Sequence, residues 1–163
     1  MEVAIRRTND TESSFRLAAA LPDYFNATGL EHMRSDLSAG DLFGAYTAAE
    51  LIGFALYMEL NREAVELAWL AVKREQWSRG VGTCLVRESL ALLPSRYRAC
   101  QVKTLAATAP YPPYVRTRRF YRKLGFISLE VIDPYPGWSP GNPCQLMVAL
   151  LQGGCSGSND TLQ

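Results

Sequence analysis

The chain reads as an α+β fold, a mixed central sheet of about seven strands flanked by about four helices. Three observations predict it. Ala64 to Val72 is a near-continuous apolar run, too short to span a membrane, that empties into a polar turn holding Gly80 and Gly82; a helical stripe of Val81, Leu85, Val86, Leu90 and Leu93 follows and Pro94 closes it. A hairpin pattern precedes this strand–turn–helix unit, which gives the sheet antiparallel members. Another strand follows the helix, and a strand reached through a helix lies parallel to the one before it.

Taken in order, MEVAIRR alternates Val3 and Ile5 with charged neighbours, a short opening strand. Asp10 is the expected N-cap of a helix over Thr11 to Leu21 carrying Phe15, Leu17 and Leu21. Pro22 breaks it, and a second short helix is expected around Leu30 to Leu37. The aromatic and polar residues between fit either a substrate-facing wall or an ordinary helical cover of the sheet. Strands Leu42 to Thr47 and Leu51 to Leu60 pair around a turn at Ala48 to Glu50, with Gly53 marking a bulge or a close approach. Asn61 to Glu63 turns the chain into the Ala64 strand, and Val102 to Thr108 is the strand after the glycine-turn helix. Prolines then set up a helix over Tyr114 to Leu124, with Gly125 as a left-handed cap. Phe126 to Ile132 and Gln145 to Leu151 close the sheet across the Pro/Gly-rich DPYPGWSPGNPC. Residues 1–151 read as one domain, and 152–163, lacking an apolar face, as a disordered tail.

A chain of 163 residues is long enough for one core burying roughly 70% of its unfolded surface. With 20% charged residues and a net charge of +1, nothing favours nucleic acid or an acidic membrane as partner. Cys84, Cys100, Cys144 and Cys155 are far apart without a C-x-x-C, and His32 is the only histidine, so no metal site is expected. Cys84 and Cys144 read as small core residues rather than nucleophiles. Without a basic-then-apolar leader or an apolar stretch of about 20 residues, the expectation is a cytoplasmic protein with reduced thiols.

The turn after the Ala64 strand is suited to an anion. A helix start offers unpaired N–H groups and the positive end of a dipole, glycines let a phosphate approach, and Arg79 adds charge. The dinucleotide fingerprint fails because Leu85 stands where its third glycine belongs, and the triphosphate loop fails for want of a lysine. The remaining match resembles the pyrophosphate loop of the GNAT acetyltransferase superfamily, [RQ]-x-x-G-x-[GA], after a strand ending in Ala71-Val72. Trp77 stands where that motif has Arg or Gln, so backbone donors would hold most of the phosphate, with Gln76, Ser78 and Arg79 supplying side-chain polarity. A second segment, Phe120-Tyr121-Arg122-Lys123-Leu124-Gly125-Phe126, resembles the family's F-Y-x-K-x-G-F, and the element order matches the GNAT fold. PPYVRTRRFYRKLGF and WSPGNPCQLMV resemble a bacterial subgroup of it. Tyr114 stands where the family often has Asn.

This resemblance implies a sheet splayed between its fourth and fifth strands, with acetyl-CoA as acyl donor in the wedge. Its pantetheine would meet backbone groups of Leu70 and Val72, Ala71 between them also counting as cofactor-binding, an N–H near Leu70 would support the oxyanion, and its pyrophosphate would lie over Ser78, Arg79, Gly80, Val81, Gly82 and Thr83. Tyr121 is the expected general acid, its phenol protonated at neutral pH, against the alternative of a packing tyrosine. Glu66, a carboxylate inside an apolar strand, is the candidate base, against an outward-facing strand end. Glu59, Glu31, water or no dedicated base compete with it. Tyr24, Phe25, His32, Tyr114 and Trp138 are candidate substrate-pocket walls, although a lone histidine on a polar helix is commonly surface. Arg116, Arg118, Arg119, Arg122 and Lys123 form either a solvated helix face or a contact for the 3′-phosphate of CoA. The implied activity is N-acetyl transfer to a small or amino-acid-like amine by direct attack in a ternary complex, with a homodimer possible. An acyl-CoA-binding regulatory module without transfer is the alternative, and a nucleotide in the loop a third.

Overall fold

A computed structural model describes residues 2–152 of the chain; the tail expected from 152 onward lies, past its first residue, outside them. The strands are β1 (Ala4–Arg7), β2 (Asp41–Thr47), β3 (Glu50–Asn61), β4 (Ala64–Val72), β5 (Ala99–Leu105), β6 (Ile127–Ile132) and β7 (Cys144–Leu150). The helices are α1 (Thr11–Ala19), α2 (Ala27–Asp36), α3 (Val81–Leu92) and α4 (Pro113–Lys123), with a single 3-10 turn at Arg74–Gln76. All seven strands form one mixed sheet, in the order β1-β2-β3-β4-β5-β7-β6.

Most elements begin where local chemistry dictates. Asp10 caps α1 by accepting the Ser13 N–H at 3.0 Å, which fills one of the donors a helix start leaves open. Asn26 does the same for α2 through the Gly29 N–H at 2.8 Å, so that helix starts earlier than the expected Leu30. Gly125 follows α4 with φ +93°, the left-handed residue its position calls for. β5 starts at Ala99 and stops at Leu105, earlier at both ends than expected. Its first residues are recruited by tertiary partners: the N–H groups of Arg98 and Ala99 both donate to the Glu63 carbonyl, and Ala99 pairs with Ala64 and Leu150.

Side chains alternate along β3 between two cores, as a strand's period of two requires. Ala55 and Tyr57 join Leu85 and Val86 of α3 with Tyr121 and Phe126, while Phe54 and Leu56 join Leu17 and Ala18 of α1 with Met33 of α2. A buried hydrogen bond between the hydroxyls of Tyr57 and Ser89, 2.7 Å, fixes α3 against β3. Both readings of Gly53 hold. The register jumps from Ala45 opposite Gly53 to Tyr46 opposite Leu51, leaving Ile52 as the extra residue, and a Cβ on Gly53 would come within 3.1 Å of the Ala71 carbonyl.

The feature that positions a site is a gap. β4 and β5 run parallel but pair only through Ala64 with Ala99, Val65 with Cys100 and Glu66 with Gln101. Past that point β5 stays paired with β7 along its whole length, whereas β4 stays with β3. On β4, Tyr57 faces Leu67 and Leu56 faces Trp69, so Ala68 is an extra residue, a bulge placed just where the two strands part.

The Asp10 cap gives the first expected outcome. Hydrogen bonds from the backbone N–H and side chain of Ser13 hold the Asp10 carboxyl below its ordinary value of 3.8. A lowered carboxylate stabilises the fold above its unfolded-state pKa and loses that contribution as pH falls through the folded one. Asp10→Ala should therefore lower stability by about 1 kcal/mol at pH 7. In urea titrations the deficit should shrink as the pH drops below about 4.

Candidate active site

The gap between β4 and β5 is open at its backbone. The Lys73 N–H donates to the Ile52 carbonyl at 2.9 Å, so this peptide's other polar group, the Val72 carbonyl, points away from β3 toward the gap. By the alternation of an antiparallel ladder, the N–H and C=O groups of Leu70 and Val72 face the gap, while those of Ala71 bond to β3 opposite Phe54. Of the expected trio, Leu70 and Val72 thus offer main-chain groups and Ala71 does not. The Val72 carbonyl is already taken, since the indole Nε1 of Trp77 donates to it at 2.7 Å.

Beyond β4 the chain passes through the 3-10 turn to a loop with two left-handed residues, Ser78 at φ +63° and Gly80 at φ +83°. For Ser78 such a backbone is strained and persists only where its surroundings over-determine it. Gly80 caps α3 with no side-chain bond, and a Cβ there would meet nothing within 4 Å. Inside the helix the Cys84 N–H is the first to find a carbonyl, that of Gly80 at 2.9 Å. The N–H groups of Val81, Gly82 and Thr83 are therefore left pointing out of the helix start, beside exposed Ser78 and Arg79. These free donors, an uncrowded glycine and the dipole fit a pyrophosphate. Gly82 serves packing as well, because a Cβ there would come within 3.2 Å of the Phe120 ring of α4.

Tyr121 lies on α4 with its ring edge-on to Phe120 and Phe126, each at 5.5 Å between centroids, and only 8% exposed. Burial raises its phenol well above the ordinary value, with Tyr114 and Cys100 adding to the effect, so it carries its proton throughout the working pH range. Glu66 sits at the last paired position before the strands part. It does not point freely outward: its carboxylate accepts the Gln101 amide at 2.9 Å and pairs with the Lys103 ammonium at 3.1 Å. Lys103 in turn lies 5.3 Å from the centre of the Tyr135 ring, which packs on Trp138 at 5.3 Å. Trp138 is thereby linked through Tyr135 to Lys103.

The connection between α1 and α2 is strapped to the start of α4. Tyr24 donates its hydroxyl to the Pro113 carbonyl, Tyr114 returns a bond to the Tyr24 carbonyl, both at 3.2 Å, and Tyr111 donates to the Asp23 carbonyl at 2.7 Å. Burial raises the phenols of both Tyr24 and Tyr114. Phe25 instead packs on Trp69 in the α1–α2 core, at 6.3 Å. His32 is exposed on α2 and takes part in none of these contacts. The basic cluster on α4 is likewise not one solvated face: Arg118 is buried and donates to the Leu105 carbonyl at 2.8 Å, at the end of β5.

Cys100 and Cys144 are buried, but Cys84, expected in the core, is only half-buried at the surface of α3. Cys84 donates to the Glu88 carboxylate, which with burial pushes it up to about 11, and burial takes Cys100 up to about 12 and Cys144 to about 11. Such thiols hold little thiolate at neutral pH. Among the described residues no three acidic, histidine or cysteine side chains converge as a metal site, and no helix is long and apolar enough to cross a membrane. Sequence reasoning missed the Ala68 bulge, the Lys103 and Gln101 partners of Glu66, and Arg74 beside Trp77. Ala68 continues an apolar run without any local mark, and the others are set by pairing across strands.

The sequence profile of the acetyltransferase (GNAT) domain matches residues 38–128, and the chain belongs to this family of acetyltransferases. Its fold is shared by solved structures of low identity. One is a GNAT family acetyltransferase from Elizabethkingia anophelis with acetyl-CoA bound, 19% identical, TM-score 0.70, covering 91% of this chain and 98% of that one. A second is an aminoglycoside 6′-N-acetyltransferase complexed with coenzyme A, 20% identical, TM-score 0.67, with 92% and 97% covered. A third is the ribosomal-protein-S18-alanine N-acetyltransferase of Escherichia coli, 16% identical, TM-score 0.72, with 99% and 100% covered. No curated protein matches the chain significantly.

The Glu66–Lys103 pair gives a second expected outcome. Burial by itself would lower the Lys103 ammonium, but the charge and hydrogen bond of Glu66, with Tyr135, outweigh it and raise the net value. A lysine raised in this way stabilises the fold below its unfolded pKa, and the contribution is lost only as pH rises beyond the ordinary 10.5. Glu66→Gln removes the larger of the two partners that raise Lys103, so its titration followed by NMR should move to lower pH.

Proposed function

We propose that this chain is an N-acetyltransferase moving an acetyl group from acetyl-CoA to the amine of a small or amino-acid-like acceptor, by direct attack while both are bound. The observation that carries the reading is the gap between β4 and β5, flanked by an open α3 N-terminus. Bound acetyl-CoA supplies a thioester whose acyl carbon an amine can attack with loss of a thiol. The chain's own groups do the rest. The N–H groups of Val81, Gly82 and Thr83 hold the pyrophosphate, and the free backbone groups of Leu70 and the Val72 N–H align the pantetheine. The Leu70 N–H is also the donor offered to the oxyanion.

Tyr121 is assigned as the acid that protonates the departing thiolate. A buried phenol that never ionises near neutral pH can donate at every working pH and cannot act as a base there. Glu66 is assigned to the acceptor's proton, taking it through solvent because both its oxygens already accept a partner. Tyr24, Tyr114 and Trp138 are assigned as acceptor-pocket walls. Structural neighbours act, by their names, on an aminoglycoside and on a ribosomal protein, so the size of the acceptor is a matter for assay. We also place the protein in the cytoplasm, with a homodimer compatible with its exposed edge strand β6.

Incubation with acetyl-CoA and a panel of amines, from polyamines to amino acids and short peptides, should release free thiol in an acceptor-dependent way. Coenzyme A binding without acceptor-dependent release in any case would favour a regulatory module over an enzyme. Tyr121→Phe should lower kcat by about a hundredfold or more with an unchanged melting temperature. The parent should show no loss of kcat from tyrosine ionisation up to about pH 9.

A further inference from the structure

Trp77 stands where the family's phosphate motif carries Arg or Gln, and its indole is fixed from several directions. Nε1 is bonded to the Val72 carbonyl, the Tyr24 ring meets it edge-on at 5.7 Å, and two guanidinium groups lie over it, Arg74 at 4.8 Å and Arg116 at 4.6 Å. Indole is the aromatic face that best attracts a guanidinium, and stacking orients that planar group while leaving its edge donors available.

The two arginines differ in charge balance. Arg74 is paired with the Asp23 carboxylate at 2.9 Å, so its charge is matched within the protein. Arg116, reaching over from the first turn of α4, donates Nη2 to the neutral Ser78 hydroxyl at 3.2 Å and has no ion-pair partner among the described residues. Its unmatched positive charge is thereby held against the strained residue that leads into Gly80 and the open N–H groups of α3. Arg118, by contrast, is committed to Leu105.

We propose that Arg116 is a binding residue for the pyrophosphate of CoA, carried from α4 to the start of α3 by its stack on Trp77, and that it replaces the charge the loop lacks at position 77. The proposal rests on acetyl-CoA being the donor. Trp77 on this account is a positioning residue: it anchors to the Val72 carbonyl and presents the guanidinium, while Arg74 and Asp23 brace its ring. Binding at the loop then also ties α4, the helix of Tyr121, to α3.

Calorimetry on the full chain with CoA and with 3′-dephospho-CoA tests this. Arg116→Gln should weaken both ligands by the same factor, about tenfold or more, as expected for loss of a charged hydrogen bond. It should also flatten the salt dependence of Kd. Arg116→Lys, which keeps the charge and loses the stack, should fall between, and Trp77→Leu should weaken both ligands with Arg116 still present. In Arg116→Gln, adding Trp77→Arg should restore most of the lost affinity, a rescue that a merely structural role would not produce. Unchanged affinity in a folded Arg116→Gln overturns the proposal. A loss confined to CoA overturns it too, since that would put Arg116 on the 3′-phosphate. Failure of the folded parent to bind either ligand would overturn the donor reading itself, a result distinct from both.

Discussion

The molecule depends on a pairing that stops. β4 and β5 share a short parallel ladder and then separate, because each is held more extensively on its other side, β4 by β3 and β5 by β7. A strand edge left in this way carries unpaired N–H and C=O groups, which are costly to bury without partners and ready to accept an extended ligand. The Ala68 bulge makes the separation a built feature. An extra residue bends β4 and rotates its following side chains, so that Trp69 joins the α1–α2 core while Leu70 and Val72 pack toward α3.

The charged groups at the fork follow from the same geometry. A carboxylate on an otherwise apolar strand needs partners, and Glu66 finds them on β5, the strand about to leave. Removing one member of such a buried pair would strand the other, so the ammonium of Lys103 and the carboxylate of Glu66 are best regarded as one unit. At the opposite end of the gap the indole standing at position 77 is held in a stack with Arg74 of the turn just before it and Arg116 of α4. The tyrosine strap from the α1–α2 connection to α4 completes this end, joining elements far apart in sequence through side-chain-to-backbone bonds.

Wherever a signal is local, the sequence carries it. The Ala64–Val72 strand, the Asp10 cap, the glycine turn into α3 and the left-handed Gly125 coincide with the expected features because backbone propensity and hydrogen bonds within a few residues decide them. Family membership was legible too, since the phosphate loop and the Phe120–Phe126 segment are contiguous. The site was legible only in part. Tyr121 and the Gly80 loop were proposed from contiguous motifs, whereas His32 was proposed only for its chemistry and is exposed on α2.

Sequence by itself determined which segments are strands and helices, where the glycine turn into an open helix start lies, and that the strand after it runs parallel to the one before. Only the tertiary structure decided that β5 begins at Ala99, that Ala71 turns its backbone to β3, that Glu66 is tied to Lys103 and Gln101, and that Arg116 lies over Trp77. The physical reason is distance along the chain. Caps and glycine turns are settled by neighbours a few residues away, whereas a side chain's partner across a strand or helix is chosen by register and packing that no short stretch of sequence contains.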